Sequence, residues 1–280
     1  MSFRIVDMIK VSSGRPLMGL AAMILAFGLL GACATPPMDA EARAEYEQIN
    51  DPAEDVNRGI FKFNQALDNA ILKPVAKGWK DIAPVPVQNG VHNFLNNLRS
   101  PVILINDVLQ FDFERAMTTL TRFLINSTFG VLGIFDAASE MGLPFHNEDF
   151  GQTLAVWGVE EGSYIMLPFF GPSNPRDTIG LVVDFMTDPF NLVMDNTGNE
   201  WAVPSDTAAT AVDVRARYYD ELEELEKSSL DYYAAIRSLY RQRRASEINN
   251  GANSANMPAP GISSAPGSGG YPGAEEVSGK

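Results

Sequence analysis

The only cysteine of this 280-residue chain is the residue with the most distinctive chemistry. Cys33 closes a short apolar run in residues 27–37, which read FGLLGACATPP. A lone thiol in such a place could be a buried core residue, a nucleophile or a site of covalent attachment. The residues that precede Cys33 help to separate these three uses.

Residues 1–32 have the form of an export signal. A basic segment precedes an apolar run over residues 17–30, which is shorter than the roughly 20 residues that cross a bilayer as a helix. The exit sequence LGAC is similar to a bacterial lipobox, which predicts cleavage before Cys33 and a lipid anchor on that residue. Ala34, rather than Asp, follows Cys33, and for such lipoproteins this implies the outer membrane. The alternative is an ordinary signal peptide with an incidental cysteine.

The rest of the chain lacks the patterns of common catalytic and metal sites. The mature chain has no further cysteine, which excludes disulfides and thiol catalysis. It has two histidines, His92 and His146, and no Gly-x-Ser-x-Gly elbow, phosphate loop or metal-ligand spacing. Residues 146–149 (HNED) could be taken for a metal or acid–base cluster, but no second His or Cys group completes it. We therefore predict a polar loop there, and neither a cofactor nor enzymatic activity.

The charge of the mature chain is strongly negative. Without residues 1–32 it holds 18 bases and 34 acids, a net charge of −16. Overall charge therefore does not attract this protein to nucleic acid or to anionic lipid. Any attachment to a membrane must come from acyl chains and apolar surface.

Composition divides the mature chain into three parts. Residues 33–48 are polar, contain two consecutive prolines and read as a tether. Residues 249–280 are rich in Gly, Ser, Pro, Ala and Asn, a composition that predicts a disordered tail. Residues 49–248 remain, which is one domain's worth of chain.

Apolar spacing in that domain predicts an all-α fold. One helix carries an inward stripe and ends at Pro74; the stripe is Val56, Ile60, Phe63, Leu67 and Ile71. Capping residues and first-turn prolines predict the other helix starts. These starts are Pro86 with Val87 inward, Ser100-Pro101, Asp112, Ser205 or Asp206 for a helix that includes Tyr219, and Ser228 or Ser229. Strand signals are confined to residues 154–167, which could hold one short β-hairpin with Gly158 and Gly162 in its turn.

Two uncharged stretches do not suit an ordinary soluble bundle. Residues 123–135 and 162–175 are apolar and are interrupted by Gly, Pro or Asn. Neither is long enough to span a bilayer. They could fill a core or lie in the plane of a membrane face, and composition alone favours the core.

Several motifs in order resemble the MlaA (VacJ) family of lipoproteins. The motifs lie at residues 50–58 (NDPAEDVNR), 61–64 (FKFN), 121–130 (TRFLINSTFG), 149–154 (DFGQTL), 157–159 (WGV) and 167–172 (LPFFGP). The resemblance covers roughly residues 49–245.

The resemblance implies both a fold and a function. The family is an all-helical, ring-like lipoprotein in the inner leaflet of the Gram-negative outer membrane, associated with a trimeric porin. It passes mislocalised phospholipid from the outer leaflet through an amphipathic channel to a periplasmic lipid carrier similar to MlaC. This activity maintains lipid asymmetry and needs no catalytic residue. On this reading the two broken apolar stretches face the membrane.

The resemblance also suggests residues along the lipid path. These are Asn57, Phe61, Phe63 and Asn64, together with Arg122 and the flexible-loop glycines Gly158 and Gly162. Each has a structural alternative: the two phenylalanines could be core, the glycines could serve a plain turn, and Arg122 could pair with Asp107 or Asp136 instead of a headgroup phosphate.

Four arginines near the end of the last helix are open to two interpretations. They could complement the helix dipole or bind lipid phosphate; they are Arg237, Arg241, Arg243 and Arg244. Three functions of different kinds also remain open at this stage: passive lipid passage, a porin-associated envelope scaffold without transport, and a lipid hydrolase.

Overall fold

The computed structural model describes residues 51–250, which are mostly helical with one two-stranded antiparallel sheet. In order the elements are α1 (Glu54–Leu67), a π-helical segment (Asp68–Leu72), α2 (Lys73–Ile82), α3 (Val85–Leu109), α4 (Phe113–Thr128), α5 (Ala137–Glu140), α6 (Phe150–Val156), β1 (Ile165–Leu167), β2 (Gly171–Ser173), α7 (Pro175–Thr187), α8 (Pro189–Thr197), α9 (Ala202–Arg217), α10 (Tyr219–Ser228) and α11 (Tyr232–Ile248). The predicted export signal, Cys33, the tether and the tail after residue 250 lie outside the described residues.

The all-α prediction with one short hairpin is confirmed, but the hairpin lies further along the chain than predicted. β1 pairs with β2, with Ile165 opposite Ser173 and Leu167 opposite Gly171. Residues 154–156 are helical instead, because Asp149 caps α6 by accepting a hydrogen bond from the Gln152 amide at 2.9 Å.

The helix predicted around residue 60 is present, but its predicted inward face is wrong for three of its five residues. Val56, Phe63 and Ile71 are exposed, Ile71 to 58%, whereas Asn57 is buried. Asn57 and Asn64 face the hairpin, and Ile60 packs inward against the apolar cluster there, so the exposed members of the predicted stripe are Val56, Phe63 and Ile71. Pro74 does not end the helix, because the π-helical segment leads directly into α2 with the proline in its first turn.

The start predicted at Pro86 is confirmed, but the start predicted at Ser100-Pro101 is wrong, because α3 runs unbroken from Val85 to Leu109. The Ser100 hydroxyl donates to the Asn96 carbonyl at 3.1 Å instead of capping a new helix. A proline inside a helix removes one main-chain hydrogen bond, and the buried residues on both sides, Asn97 and Ile103, keep the helix packed. Val87, predicted to face inward, is exposed.

Three further helix starts were predicted from possible capping residues, and one of these is confirmed. Asp112 caps α4 by accepting a hydrogen bond from the Arg115 amide at 3.1 Å. By contrast, α9 begins at Ala202 and ends before Tyr219. The cap of α11 is Asp231, which accepts from the Ala234 amide at 3.2 Å, so neither Ser228 nor Ser229 caps it. The true cap of α11 thus lies beyond the predicted serines, and α9 begins without a side-chain cap.

The interior is unusually polar. Among the described residues, buried polar and charged side chains outnumber buried apolar ones. A small apolar cluster consists of Tyr164, Met166 and Tyr233, with Ile60, Phe61 and Tyr240 packed against it. Within residues 51–250, no helix combines the length and the apolar character that crossing a membrane requires.

Candidate functional site

Two asparagines of α1 bind the main chain of the hairpin; we call them the asparagine clasp, Asn57 and Asn64. The side-chain nitrogen of Asn57 donates to the main-chain carbonyl of Tyr164 at 3.1 Å. The side-chain oxygen of Asn57 accepts from the main-chain amide of Met166 at 2.9 Å. Asn64 repeats this pattern with the Leu167 carbonyl and the Phe169 amide, both at 2.9 Å. Each side chain therefore uses both its donor and its acceptor on the hairpin.

The spacing of the clasp follows from helix and strand geometry. Seven residues of α-helix rise about 10.5 Å, and three residues of strand span about 10 Å. Asparagines seven residues apart on α1 therefore meet main-chain groups three residues apart on the hairpin. This match fixes the register of α1 against β1.

The two predicted phenylalanines lie on different sides of α1. Phe61 packs edge-on against Tyr232 and Tyr233, with ring centroids 5.5 Å apart in both cases. Phe63 is half-exposed, and its ring packs edge-on against Phe169 with the centroids 5.4 Å apart. The structure thus brings the predicted group together around the hairpin, while its role in a lipid path stays a prediction.

Arg122 is an internal ion-pair residue. It is buried and binds both oxygens of Asp136, at 2.9 and 3.0 Å, and it also donates to Ser139 and to the Leu143 carbonyl. Burial alone would raise the pKa of Asp136, but hydrogen bonds from Ser139 and Arg122 outweigh burial and lower it. Because both terminal nitrogens of Arg122 are occupied, the contacts favour the structural alternative with Asp136.

Three of the four arginines of α11 connect it to distant parts of the chain. Each of the four pairs with a carboxylate: Arg237 with Asp51 at 2.7 Å, Arg241 with Glu161 at 3.0 Å, Arg243 with Glu247 at 2.7 Å and Arg244 with Asp149 at 2.6 Å. Three of these pairs join α11 to other elements. These three arginines therefore join separate segments of the chain through ion pairs, a role that neither the helix-dipole nor the lipid-phosphate interpretation predicted.

Arg244 stands at the centre of a buried group that we call the Arg244 hub: Arg244, Asp149, Asp177 and Tyr240. Arg244 also pairs with Asp177 at 2.8 Å, and the Tyr240 hydroxyl donates to the same carboxylate at 2.6 Å. Burial opposes ionisation of Asp149, yet its hydrogen bonds with Arg244 lower its pKa to about 2. A close approach of α6 and α7 supports the hub, because a Cβ on Gly180 would fall on the backbone of Gly151.

The segment from residue 146 to 149 is a structural polar network. His146 lies 3.0 Å from Asp107, Glu148 pairs with Arg115 at 2.6 Å, and Asp149 belongs to the hub. No group of three or more metal-ligating side chains occurs within residues 51–250.

The residues after α4 form an exposed apolar surface, which we call the apolar loop, residues 129–135. Its exposed fractions include 77% for Phe129, 66% for Leu132 and 63% for Phe135. Composition had favoured a core for residues 123–135 and 162–175; that interpretation is wrong for this loop and for Phe169 and Phe170, which are also exposed.

Much of the main chain of the apolar loop is hydrogen-bonded within the protein despite this exposure. The amides of Leu132 and Gly133 donate to carbonyls at the end of α4, at 3.1 and 2.8 Å. The carbonyls of Leu132 and Ile134 accept from Asn97 and Asn93 of α3. A loop whose polar groups are satisfied inside the protein can enter an apolar medium.

Holding this conformation strains the chain. Val131 and Leu132 adopt φ values of 53° and 59°, which non-glycine residues rarely occupy. Gly133 has φ of 92° and lies so close to Asn97 that a Cβ would overlap its side chain. Such strain persists only where surrounding contacts fix it.

Like the apolar loop, helix α4 inverts the usual arrangement: it exposes apolar side chains and buries polar ones. Phe113, Met117 and Leu124 form one exposed stripe. The opposite face is buried and mainly polar, and consists of Ala116, Thr119, Arg122 and Asn126. An ordinary surface helix of a soluble protein has the reverse arrangement.

Sequence reasoning missed the interior carboxylates Asp51, Asp149 and Asp177 as partners of the α11 arginines. Asp149 lies 95 residues from Arg244, and Asp51 lies 186 residues from Arg237. No local pattern marks such pairs. The overall composition gives no signal either, because 20% of the residues are charged and 45% are hydrophobic, which is ordinary for a globular chain.

Gly158 and Gly162 lie between α6 and β1 with φ values of 87° and 73°, and Gly162 contacts Pro175 closely. The backbone there requires the left-handed conformation that glycine adopts without cost. The prediction that these two glycines lie in the turn of the hairpin is therefore wrong, because that turn is residues 168–170. A role in loop flexibility stays a prediction.

Taken together, these features define a class of small helical protein with paired charges inside and apolar side chains outside. The chain belongs to the MlaA lipoprotein family, whose model matches residues 49–247.

Relatives and a solved structure agree with this assignment. The intermembrane phospholipid transport system lipoprotein MlaA of Haemophilus influenzae is 35% identical over 83% of this chain and 90% of its own length. The protein of the same name from Escherichia coli K12 is 32% identical over 83% of this chain and 89% of its own. A structure solved in work on the structural basis for maintenance of bacterial outer membrane lipid asymmetry has a TM-score of 0.60, with 34% identity over 71% of this chain and 99% of that one.

Proposed function

We propose that this protein is an outer-membrane lipoprotein that removes mislocalised phospholipid from the outer leaflet and passes it to a periplasmic carrier. The names of its relatives, which describe intermembrane phospholipid transport, support this proposal. The single observation that carries it is the inversion described above, in which polar groups are paired inside and apolar side chains are exposed.

The main energetic barrier to this function is the passage of the charged lipid headgroup through hydrocarbon. Moving an unpaired charge through hydrocarbon costs several kcal/mol or more. A polar route through protein lowers that cost, while the acyl chains stay in apolar surroundings. No covalent bond changes, so the function requires no catalytic residue, cofactor or metal.

The proposed position is the periplasmic leaflet of the outer membrane. Acyl chains on Cys33 would anchor the chain, since two hydrophobic signals are enough for stable attachment. The apolar loop and the exposed stripe of α4 would lie among lipid tails. A trimeric porin is the proposed neighbour, and an MlaC-like carrier is the proposed acceptor in the periplasm. The residues proposed for the lipid path are Asn57, Phe61, Phe63 and Asn64.

Deletion of the gene tests the proposal. We expect phospholipid to accumulate in the outer leaflet, measured by labelling intact cells with a membrane-impermeant amine reagent, together with sensitivity to detergent. Complementation with the wild-type chain restores both properties. A deletion strain whose outer leaflet and detergent tolerance are unchanged would rule out this function.

The scaffold and hydrolase alternatives predict other outcomes. If porin attachment alone were the function, a variant that still binds porin but blocks the lipid path would complement the deletion; we expect that it does not. A hydrolase would release free fatty acid from radiolabelled phospholipid incubated with the purified protein, and we expect none.

A further inference from the structure

Helix α10 packs on the rest of the protein mainly through charged side chains. Leu225 is its only buried residue, and no side chain caps its first turn. It follows α9 after a break at Tyr218, and it ends before an extended Ser229 and a fully exposed Leu230. A helix that buries so little apolar surface gains little from the hydrophobic effect, so α10 is a segment that we expect to open locally.

Two carboxylates of α10 lie against cations of α2 and α9. Glu223 pairs with Lys73 and lies 3.6 Å from Arg215, and both cations approach the same oxygen, Oε1. Asp220 pairs with Lys80 at 2.5 Å. We call the three cations the basic surface: Lys73, Lys80 and Arg215. The two carboxylates of α10 therefore cover this surface.

An aromatic residue of α10 covers the basic surface as well. The ring centroid of Tyr219 lies 5.3 Å from the Lys80 ammonium and 5.1 Å from the Arg215 guanidinium carbon. The negative face of an aromatic ring attracts cations. Three neighbouring side chains of α10 are thus held by cations rather than by an apolar core.

Two cations of the basic surface depend on α10 for their acidic partners. Within residues 51–250, Lys73 pairs only with Glu223, and Lys80 pairs only with Asp220. Arg215 has a second partner, Asp68 of the π-helical segment, at 3.0 Å. If α10 moved away, three cations would therefore remain beside one carboxylate.

Arg215 also has an unused hydrogen-bond donor. Its side chain is only 9% exposed, and its Nη1 atom has no hydrogen-bond partner among the described residues. A buried donor without a partner is costly. A guanidinium group binds phosphate through directed hydrogen bonds, and a lysine ammonium adds a compact positive charge. An arginine and a lysine that approach one oxygen, with a further donor beside them, have the chemistry of a phosphate site.

We propose that the basic surface binds a phosphate group, and that α10 covers it with Glu223 and Asp220 until a phosphate replaces them. The Glu223 oxygen between Lys73 and Arg215 occupies the position that a phosphate oxygen takes. The phosphate belongs to a phospholipid headgroup or is free in solution, since the same chemistry binds both. With a phospholipid as its source, the inference rests on the proposed function and adds a covered headgroup contact to it.

Binding to the full chain, purified in a detergent that lacks phosphate, tests the site. The probes are inorganic phosphate and dihexanoyl phosphatidylglycerol, with affinity measured by calorimetry at constant ionic strength. Glu223→Gln removes the carboxylate that competes with the ligand, and we expect roughly tenfold tighter binding of both probes. Glu224→Gln is the matched control, because Glu224 is exposed, forms no ion pair within residues 51–250 and changes the net charge equally.

Lysine variants test the cations themselves. Lys73→Gln should weaken the binding of both probes roughly tenfold. Lys62→Gln removes an exposed lysine that forms no ion pair with the described residues, and it should leave both affinities unchanged. Lys73→Arg keeps the charge and should retain most of the binding. Thermal unfolding of each variant verifies the fold.

The two probes distinguish the source of the phosphate. Tighter binding of the short-chain lipid than of inorganic phosphate identifies a headgroup site. Equal binding of the two identifies a general phosphate site. Both results require the dependence on Glu223 and Lys73 described above.

Hydrogen exchange tests whether α10 moves. Saturating inorganic phosphate should speed the exchange of the α10 amides and leave those of α11 unchanged. Sodium chloride at the same ionic strength is the control, because it screens exposed ion pairs without filling the site. We expect it to have the smaller effect on α10.

Three results would overturn the site: equal affinities of Glu223→Gln and Glu224→Gln, an unchanged affinity of Lys73→Gln, or equal effects of phosphate and chloride on the exchange of α10. These outcomes are distinct from failure of the proposed function, which is measured in the deletion strain. If deletion alters the outer leaflet but neither probe binds, the transport proposal stands and the phosphate site fails.

Discussion

The Arg244 hub and the apolar loop both bond their polar groups within the protein. They differ in what lies at the surface, because the hub is buried whereas the loop exposes apolar side chains. In the hub, a buried arginine meets two carboxylates, and all three are held by further hydrogen bonds. In the loop, the side chains are exposed and apolar, while the main-chain polar groups turn inward to α3 and α4. In both regions most of these polar groups bond to protein rather than to solvent.

The two regions differ in how much their side chains contribute to the free energy of folding. Breaking a buried charge pair leaves an uncompensated charge and strongly destabilises a fold. An exposed apolar side chain contributes little to folding, but it contributes to transfer into an apolar medium. We therefore expect substitutions in the hub to change stability, and substitutions in the loop to change membrane affinity.

The largest effect is expected for Arg244→Met. The substitution leaves Asp149 and Asp177 buried without their main cation, and such a loss costs about 3 to 5 kcal/mol. The free energy of unfolding in detergent, from denaturant titration, measures it. Arg243→Ala is the matched control on the same helix; because its pair with Glu247 is exposed, it should cost less than about 1 kcal/mol. Equal effects of the two substitutions would remove the distinction between the hub and the surface.

Gly180→Ala tests the packing that supports the hub. The new methyl group would fall on the main chain of Gly151, which cannot move without disturbing Arg244 and Asp177. Overpacking of this kind costs about 1 to 3 kcal/mol. Gly78→Ala in α2 is the control, because nothing lies within 4 Å of its Cβ position. That change should stabilise the protein by up to about 1 kcal/mol, since alanine favours a helix more than glycine does. A stable Gly180→Ala protein would mean that α6 and α7 can separate.

Lowering the pH should reduce the stability that the Arg244 hub contributes before it affects the apolar loop. The pKa of Asp149 falls from an ordinary 3.8 to about 2 in the folded chain. A carboxyl whose folded pKa is lowered contributes stability that is complete above its unfolded pKa and is lost as pH falls through its folded pKa. Between about pH 4 and pH 2, the protein should therefore lose roughly 2 kcal/mol from this group.

Asp149→Asn isolates that contribution. Asparagine can still cap α6, but it does not titrate, so the fall in unfolding free energy between pH 4 and pH 2 should be smaller by the amount assigned to Asp149. An identical pH profile in wild type and variant would show that other carboxyls govern acid unfolding.

Local signals in the sequence were sufficient for some of these features. The helical spacing of apolar residues predicted the all-α class, and Asp112 was identified as a cap because a carboxylate precedes the first turn of α4. The spacing could not show which face of α1 is buried. Val56, Ile60 and Phe63 have the pattern of a core stripe, and the pattern is the same whether the apolar partner is protein or lipid.

Local sequence patterns could not predict contacts between residues that are distant in the sequence. Asn57 and Asn64 were selected through family resemblance, but their bonds to the hairpin depend on where β1 lies. The predicted hairpin was misplaced by several residues because Asp149 extends helical structure to Val156. Arg122 offered two carboxylate partners by sequence, and only the folded chain distinguishes Asp136 from Asp107.

The smallest effect on stability, and the most specific test of the comparison, is expected for Phe129→Gln in the apolar loop. The ring of Phe129 is 77% exposed, so its removal should change the free energy of unfolding by less than about 0.5 kcal/mol. Transfer of a phenylalanine side chain into an apolar medium is worth about 1.5 to 3 kcal/mol, which predicts at least tenfold weaker binding to uncharged vesicles. The measurement uses the mature chain with Cys33→Ser, so that acyl chains do not mask the contribution of the loop. Ile82→Gln, at an exposed apolar position at the end of α2, is the control and should bind as the parent does. If both substitutions weaken binding equally, exposed apolar residues act without regard to position; if neither does, the apolar loop does not enter lipid.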